Sequence, residues 1–124
     1  SHTGARRLIA KIERPAALEK AEAIDACFDE LWLCRGDLGA EAELRDLGRL
    51  QAGFVAQFPR LRHPKILAGE VLGSMVTSSL PSRSEIVHLH DALAAGFDGI
   101  VLSDETASGS HVDDVISFLK YYFV

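Results

Sequence analysis

The hydrophobic residues of the chain fall into four short, nearly continuous runs, each of which ends in polar residues. The runs read RLIAKIE, ELWLCRGDLG, HPKILAGEVLGSM and DGIVLSDETASG, at residues 7–13, 30–39, 63–75 and 98–109. Short apolar runs that do not alternate with polar residues are typical of parallel strands buried on both faces. The pattern therefore predicts four strands.

The segments between and after these runs carry apolar residues at helical spacing and predict four helices, over residues 15–28, 41–58, 81–97 and 110–123. The second segment has the clearest helical period, with apolar residues every three or four positions at Leu44, Leu47, Leu50, Phe54, Val55 and Phe58.

Residues at the predicted helix ends support these helices. Pro15 suits a first helical turn, because its missing N–H would have no partner within the helix. Ser82 and Glu85 have the spacing of a capping box, and Gly96 predicts the end of the same helix. Ser110 is predicted to cap the fourth helix.

Alternating strands and helices predict an α/β fold of four βα units with a parallel sheet. Such a sheet could be a small, open, doubly wound sheet. It could also be half of a TIM (β/α)8 barrel, whose second half would cover the two exposed sheet edges. The pattern alone leaves both architectures open, and in both of them ligands bind at the carboxyl ends of the strands.

Composition narrows the class of protein. With 124 residues, 48% of them hydrophobic and 25% charged, the chain has the make-up of one globular domain. A net charge of −5 without a basic cluster argues against nucleic-acid and anionic-membrane partners. No apolar stretch is long enough to span a bilayer, so we predict a cytoplasmic protein. Cys27 and Cys34 lack metal-ligand spacing and are predicted to be reduced core thiols, and Trp32 is predicted to lie in the core.

All four predicted strands end in polar residues. Glu13 and Asp37 follow neighbouring strands, and Mg²⁺ typically takes one or two carboxylates together with water and substrate oxygens. Lys11 could stabilise negative charge beside such a metal. Gly36 and Gly39 predict a tight turn that approaches an anion. The alternative, that these are only solvated loop residues, stays open at this point.

Five segments, AKIERPAALE, CRGDLGAE, LAGEVLGSM, LPSRSE and LSDETASG, resemble successive segments of the catalytic barrel of pyruvate kinase, in the same order. The resemblance runs from about residue 7 to the last helix and corresponds to strands five to eight of the family's (β/α)8 barrel. It implies the half-barrel architecture, with residues 1–124 as a single half-barrel domain.

The resemblance implies transfer of a phosphoryl group from phosphoenolpyruvate to ADP, giving pyruvate and ATP, with Mg²⁺ or Mn²⁺ and usually K⁺. Lys11 resembles the lysine that stabilises the transferring phosphoryl group. Glu13 and Asp37 resemble the two carboxylate ligands of the divalent metal, and the backbone of Gly36 and Asp37 resembles the stretch that receives the substrate carboxylate. The family's K⁺ ligands belong to the other half of the barrel.

The implied substrate site also includes Arg35 and the end of the third strand. There the family's Ala-Thr-Gln-Met reads Ala-Gly-Glu-Val, so Gly69 and Glu70 are candidate substrate-binding residues. Gly69 stands in place of a threonine that contacts substrate and assists proton delivery to the enolate. At the fourth strand the family's Ser-Gly-Glu-Thr-Ala reads Ser-Asp-Glu-Thr-Ala, which adds Ser103 and Glu105 as further candidates.

Three hypotheses about function remain. The chain could be a piece or a degenerate relative of pyruvate kinase, a non-catalytic domain that binds phosphoenolpyruvate or pyruvate with metal and serves regulation or assembly, or a related aldolase or lyase that stabilises a metal-bound enolate. The order of the motifs favours the kinase family over the third. Because four strands leave two edges and one sheet face uncovered, we also predict a homodimer or pairing with another half-barrel.

Overall fold

The computed structural model describes residues 6–124 and contains one parallel sheet of four strands. The strands are β1 (Ile9–Ile12), β2 (Glu30–Cys34), β3 (Lys65–Ala68) and β4 (Gly99–Val101). They lie in the order β1-β2-β3-β4, and each neighbouring pair is parallel. The predicted α/β fold of four βα units is confirmed.

Helices follow every strand within the described range. The α-helices are α1 (Pro15–Glu19), α2 (Ala21–Asp25), α3 (Arg35–Glu41), α4 (Leu47–Ala56), α5 (Arg83–Ala95), α6 (Asp104–Ser108) and α7 (Val112–Tyr122). Short 3-10 helices span Leu44–Asp46, Phe58–Arg60 and Gly73–Val76. Across residues 6–124, no helix has both the length and the apolar composition needed to cross a membrane.

The core lies between one face of the sheet and the helices. Alternate strand residues point into it, and Leu31, Leu33 and Leu67 are fully buried there. Phe54, Phe58 and Phe97 form an aromatic cluster in the core, with ring centroids 5.1 to 6.2 Å apart. Each fully buried side chain of this size stabilises the fold by about 1.5–3 kcal/mol.

Two predictions about the first half of the chain are wrong. The helix expected over residues 15–28 is divided at Lys20, whose φ of −107° and ψ of 18° depart from helical values, although no glycine or proline marks the division. The tight turn expected after the second strand is instead the start of α3, which begins directly at Arg35. This helix places Leu38 in the core, where it is completely buried.

The ends of the other helices agree with the sequence in part. Ser82 and Glu85 form the predicted capping box, and Gly96 ends α5 with a left-handed φ of +116°. In contrast, α4 starts only at Leu47, and Leu44 is 77% exposed in the preceding 3-10 helix. The predicted cap at Ser110 is also wrong, because His111 occupies the capping position of α7 without a side-chain hydrogen bond.

The second face of the sheet carries the residues that alternate with the core positions. Lys11 pairs in register with Trp32, which in turn pairs with Ile66. Trp32 is only half-buried on this face and donates its Nε1–H to Glu30 Oε1 at 3.0 Å, so the prediction that it is a core residue is wrong. Cys27 is exposed as well, whereas Cys34 is buried as predicted.

Candidate functional site

An open cleft of about 710 Å³ lies where the carboxyl ends of the four strands meet. We call it the strand-end cleft. Its polar and charged lining comes from all four strand ends and the residues that follow them, and comprises Lys11, Trp32, Cys34, Asp37, Glu70, Ser103, Asp104, Glu105 and Thr106. Parallel α/β sheets bind ligands at this edge, because the loops after the strands converge there.

Lys11 and Glu13 form an ion pair at the end of β1, with Lys11 Nζ 3.0 Å from Glu13 Oε1. The hydrogen bond from the ammonium to Glu13 raises the pKa of Lys11, and the charge of Asp37 acts in the same direction. Both side chains remain solvent-accessible, so water screens the pair and its net contribution to stability is small. The pair instead positions the ammonium group of Lys11 at the strand-end cleft.

Cys34 ends β2 between these charges. Burial is the largest cause that raises the pKa of its thiol, and the carboxylates of Glu13 and Asp37 raise it further, while Lys11 opposes them. The thiol is therefore protonated at neutral pH. Glu13 and Asp37 thus each act electrostatically on both Lys11 and Cys34.

The oxygen donors at this place suit a hard cation. Glu13 and Asp37 come from the ends of the neighbouring strands β1 and β2, and Asp37 sits in the first turn of α3. Over residues 6–124, no group of three or more His, Cys, Asp or Glu side chains is placed to enclose a metal. By residue type, Glu13 and Asp37 are the carboxylates that could hold Mg²⁺ or Mn²⁺, which take their further oxygens from water and substrate, whereas a closed structural zinc site needs four protein ligands.

Arg35, the first residue of α3, does not line the strand-end cleft but contacts the loop after β3. Its Nη2 donates to the carbonyl oxygens of Gly69, at 3.1 Å, and Glu70, at 2.8 Å. Its Nη1 lies 2.8 Å from Nε2 of His88 on α5. Burial lowers the pKa of Arg35, but its guanidinium stays charged, because arginine does not lose its proton in proteins. The guanidinium of Arg35, a candidate substrate-binding residue, thus contacts the β3 loop and His88 in this structure.

His88 is the residue of this region that sequence analysis missed. Burial is the main cause that lowers its pKa, and the charge of Arg35 lowers it further, against smaller opposing effects of Asp91 and Glu85. The position of His88 in the helical pattern of α5 does not indicate that it contacts Arg35. The contact is seen only in the structure, where His88 Nε2 on α5 meets the guanidinium at the start of α3.

The loop after β3 has an unusual backbone. Gly69 has a φ of +74°, Glu70 a φ of +59° and Leu72 a φ of +56°, all in the left-handed region. Only glycine adopts this region without cost, and for the other two residues it is a strain that the surroundings must offset. The bonds from Arg35 hold part of this loop, and Ser74 at its far end donates to Glu85 on α5.

The end of β4 closes the other side of the strand-end cleft. Ser103 caps α6 by accepting a hydrogen bond from the backbone N–H of Thr106 at 3.4 Å, and their hydroxyl groups lie 3.1 Å apart. Thr106 is 1% exposed, whereas Asp104 and Glu105 are exposed on the cleft. Ser103 therefore acts locally as a helix cap, and Glu105 is open to a ligand.

The structure thus brings most of the predicted site residues to one place. The residues that line the strand-end cleft are Lys11, Gly36, Asp37, Gly69, Glu70, Ser103 and Glu105. Glu13 joins them through its ion pair with Lys11. Arg35 is set back from the cleft, on the backbone of the β3 loop.

The sequence of the chain is similar to those of known pyruvate kinases. A family model described as the barrel domain of pyruvate kinase matches residues 2–116. The chain is 36% identical to a pyruvate kinase of Mycobacterium tuberculosis over 104 residues, which are 84% of this chain and 22% of the relative. It is 36% identical to a pyruvate kinase of Agrobacterium vitis over 113 residues, or 91% of this chain and 24% of the relative.

Solved structures give the same result. The chain superimposes on the pyruvate kinase of Pyrobaculum aerophilum with a TM-score of 0.83 and 31% identity, over 93% of this chain and 26% of that one. For a pyruvate kinase of Cryptosporidium parvum the TM-score is 0.81 and the identity 28%, over 91% and 23% of the two chains. The chain therefore spans about a quarter of the length of these proteins.

Proposed function

This chain belongs to the pyruvate kinase family, and from that membership and the strand-end cleft we propose that it contributes one half of a phosphotransferase active site. The proposed reaction transfers a phosphoryl group from phosphoenolpyruvate to ADP and requires Mg²⁺ or Mn²⁺. The observation that supports the proposal is that Lys11, which is paired with Glu13, and Asp37 line the same cleft at the ends of two neighbouring parallel strands.

Each of these residues has a role that its position supports. Glu13 and Asp37 would hold the divalent metal, which when bound neutralises charge on the oxygens of the oxyacid and the phosphoryl group. Lys11 would place its ammonium beside the transferring phosphoryl group, where negative charge spreads over the equatorial oxygens. The backbone of Gly36 and Asp37 would receive the carboxylate of the oxyacid. Phosphoryl transfer depends mainly on such positioning and neutralisation.

A second candidate function is metal-dependent binding of phosphoenolpyruvate or pyruvate without turnover. One observation favours it. Gly69 lines the strand-end cleft where the family has a threonine, so the hydroxyl that assists proton delivery to the enolate is missing. Serving as a binding or assembly domain would require the metal and oxyacid contacts but not that proton transfer.

A binding experiment tests the site, and a rate measurement separates the two functions. We would titrate the purified protein with oxalate, an enolpyruvate mimic, with and without Mg²⁺. We expect binding that requires Mg²⁺ and that falls at least tenfold in Glu13→Gln and in Asp37→Asn, because each variant removes one anionic metal ligand. Asp46→Asn, at a partly exposed carboxylate in the 3-10 helix before α4 and outside the strand-end cleft, is the control and should bind as the unchanged protein does.

The kinase function further predicts ADP- and Mg²⁺-dependent formation of pyruvate from phosphoenolpyruvate, which Lys11→Met should abolish while oxalate still binds. Oxalate binding without pyruvate formation, in the presence of any partner half-barrel, would favour the binding function instead. Absence of Mg²⁺-dependent oxalate binding would contradict both functions.

A further inference from the structure

The carboxylate of Glu70 lies inside the proposed oxyacid site. A Cβ atom added to Gly36 would be 3.8 Å from Oε1 of Glu70, so the carboxylate stands beside the backbone of Gly36. Glu70 also lines the strand-end cleft on one side and a smaller neighbouring pocket at Gly36 and Leu44 on the other. It thus stands next to the backbone to which the proposed function assigns the carboxylate of the ligand.

The backbone holds Glu70 in this position. Its φ of +59° is uncommon for a residue with a side chain, and the loop keeps it because Arg35 donates to the carbonyl oxygens of Gly69 and Glu70. Arg35 also attracts the Glu70 carboxylate electrostatically. The backbone that carries this carboxylate beside Gly36 is therefore held by a half-buried guanidinium that does not line the strand-end cleft.

The strand-end cleft is lined by more carboxylates than cations, so the charge of Glu70 adds to a negative surrounding. Lys11 is its one cationic lining residue among those described, and that cation is already paired with Glu13. The carboxylates that line the cleft are Asp37, Glu70, Asp104 and Glu105. At the position of Glu70 the family pattern has glutamine, which has the same shape and no charge.

We propose that Glu70 is a specificity-determining residue, whose carboxylate beside Gly36 opposes the binding of a doubly charged oxyacid. This inference rests on the proposed function, because it concerns the ligand of the same site. The site then favours ligands with a single negative charge over dianions, relative to the same site with a neutral residue at position 70. The effect is electrostatic and acts at short range, so it weakens as salt screens it.

The test is titration with oxalate and with pyruvate in the presence of Mg²⁺, for the unchanged protein, Glu70→Gln and Glu19→Gln. Glu70→Gln keeps the size of the side chain and removes its charge. Glu19 is an exposed glutamate at the end of α1, outside the strand-end cleft, and its replacement controls for a general change of net charge. Thermal unfolding of each variant checks that it folds.

We expect Glu70→Gln to bind oxalate about fivefold more tightly than the unchanged protein, with a smaller gain for pyruvate. At about 1 M salt, where the screening length is roughly 3 Å, the gain should nearly disappear. Glu70→Gly, which accepts the left-handed backbone without a carboxylate, should give the same gain and so separates charge from side-chain shape.

Equal oxalate affinities of Glu70→Gln and the unchanged protein would overturn this inference and leave the proposed function standing. An equal gain in Glu19→Gln would overturn it too, since the effect would then be one of net charge. If none of these proteins binds oxalate with Mg²⁺, the proposed function fails and this inference fails with it.

Discussion

At the scale of single residues, the contact between Arg35 and His88 fixes a protonation state. A guanidinium has donors and no acceptor, so Nε2 of His88, 2.8 Å away, must accept the hydrogen bond. His88 is therefore neutral, with its proton on Nδ1. The contact links α5 to the loop after β3, because the same guanidinium donates to Gly69 and Glu70.

This contact predicts a pH dependence of stability. Burial and Arg35 place the folded-state pKa of His88 below the ordinary value of about 6.5. As the pH falls below about 6.5, the unfolded chain takes up a proton at His88 before the folded protein does, so the free energy of unfolding decreases. The stabilising contribution is present above this pH and is lost on acidification. Urea unfolding between pH 7.5 and 5 measures it.

His88→Gln provides the comparison, since the amide oxygen can accept from Arg35 and does not titrate. We expect the free energy of unfolding to depend less steeply on pH in this variant than in the unchanged protein. His90→Gln, at an exposed histidine on the same helix, should keep the original slope. Parallel slopes for all three proteins would show that His88 does not titrate differently on folding.

At the scale of secondary-structure elements, the loop after β3 determines which residues the site can contain. A Cβ atom at Gly69 would meet no atom within 4 Å, so space permits the family's threonine there. The backbone opposes it, because a φ of +74° is unfavourable for a β-branched residue. The left-handed backbone at position 69 therefore favours glycine over threonine.

Gly69→Thr is accordingly expected to lower the free energy of unfolding by about 1–2 kcal/mol, the usual cost of forcing a left-handed backbone on a residue with a side chain. Urea unfolding at pH 7.5 measures it. Gly53→Thr is the matched control, because Gly53 lies inside α4, has no atom within 4 Å of its added Cβ, and does not have a left-handed φ. If both variants unfold alike, the loop adapts to threonine without cost.

The elements also show how far the sequence alone could lead. The apolar runs and the Ser82–Glu85 capping box predict the four strands and α5, because burial and capping are local signals. The start of α3 at Arg35 could not be predicted, since Leu38 becomes buried only through tertiary packing, and no residue in the sequence signals the division at Lys20. Likewise, the residue types at the strand ends indicate the site, but the roles of His88 and the Glu70 carboxylate depend on contacts between distant segments.

At the scale of the whole molecule, the sheet is open in two ways. Among residues 6–124, β1 and β4 each have a strand neighbour on one side only, and the face that carries Trp32 is opposite the helix-covered core. At the start of β1, Leu8 is 46% exposed just before the strand and Ile9, its first residue, is 41% exposed. Unpaired strand edges with apolar flanks favour association, and barrel closure removes such edges.

We therefore expect a second copy of the chain to cover this face at micromolar concentration, and sedimentation velocity to report a dimer. Ile9→Glu should shift the protein to the monomer, because it adds a charge at the edge of β1 that association would bury without a partner. Val87→Glu, at a residue 58% exposed on α5, should leave the dimer intact. A monomer in the unchanged protein would mean that this face stays uncovered at that concentration, and a dimer broken by Val87→Glu instead would place the contact on the helices.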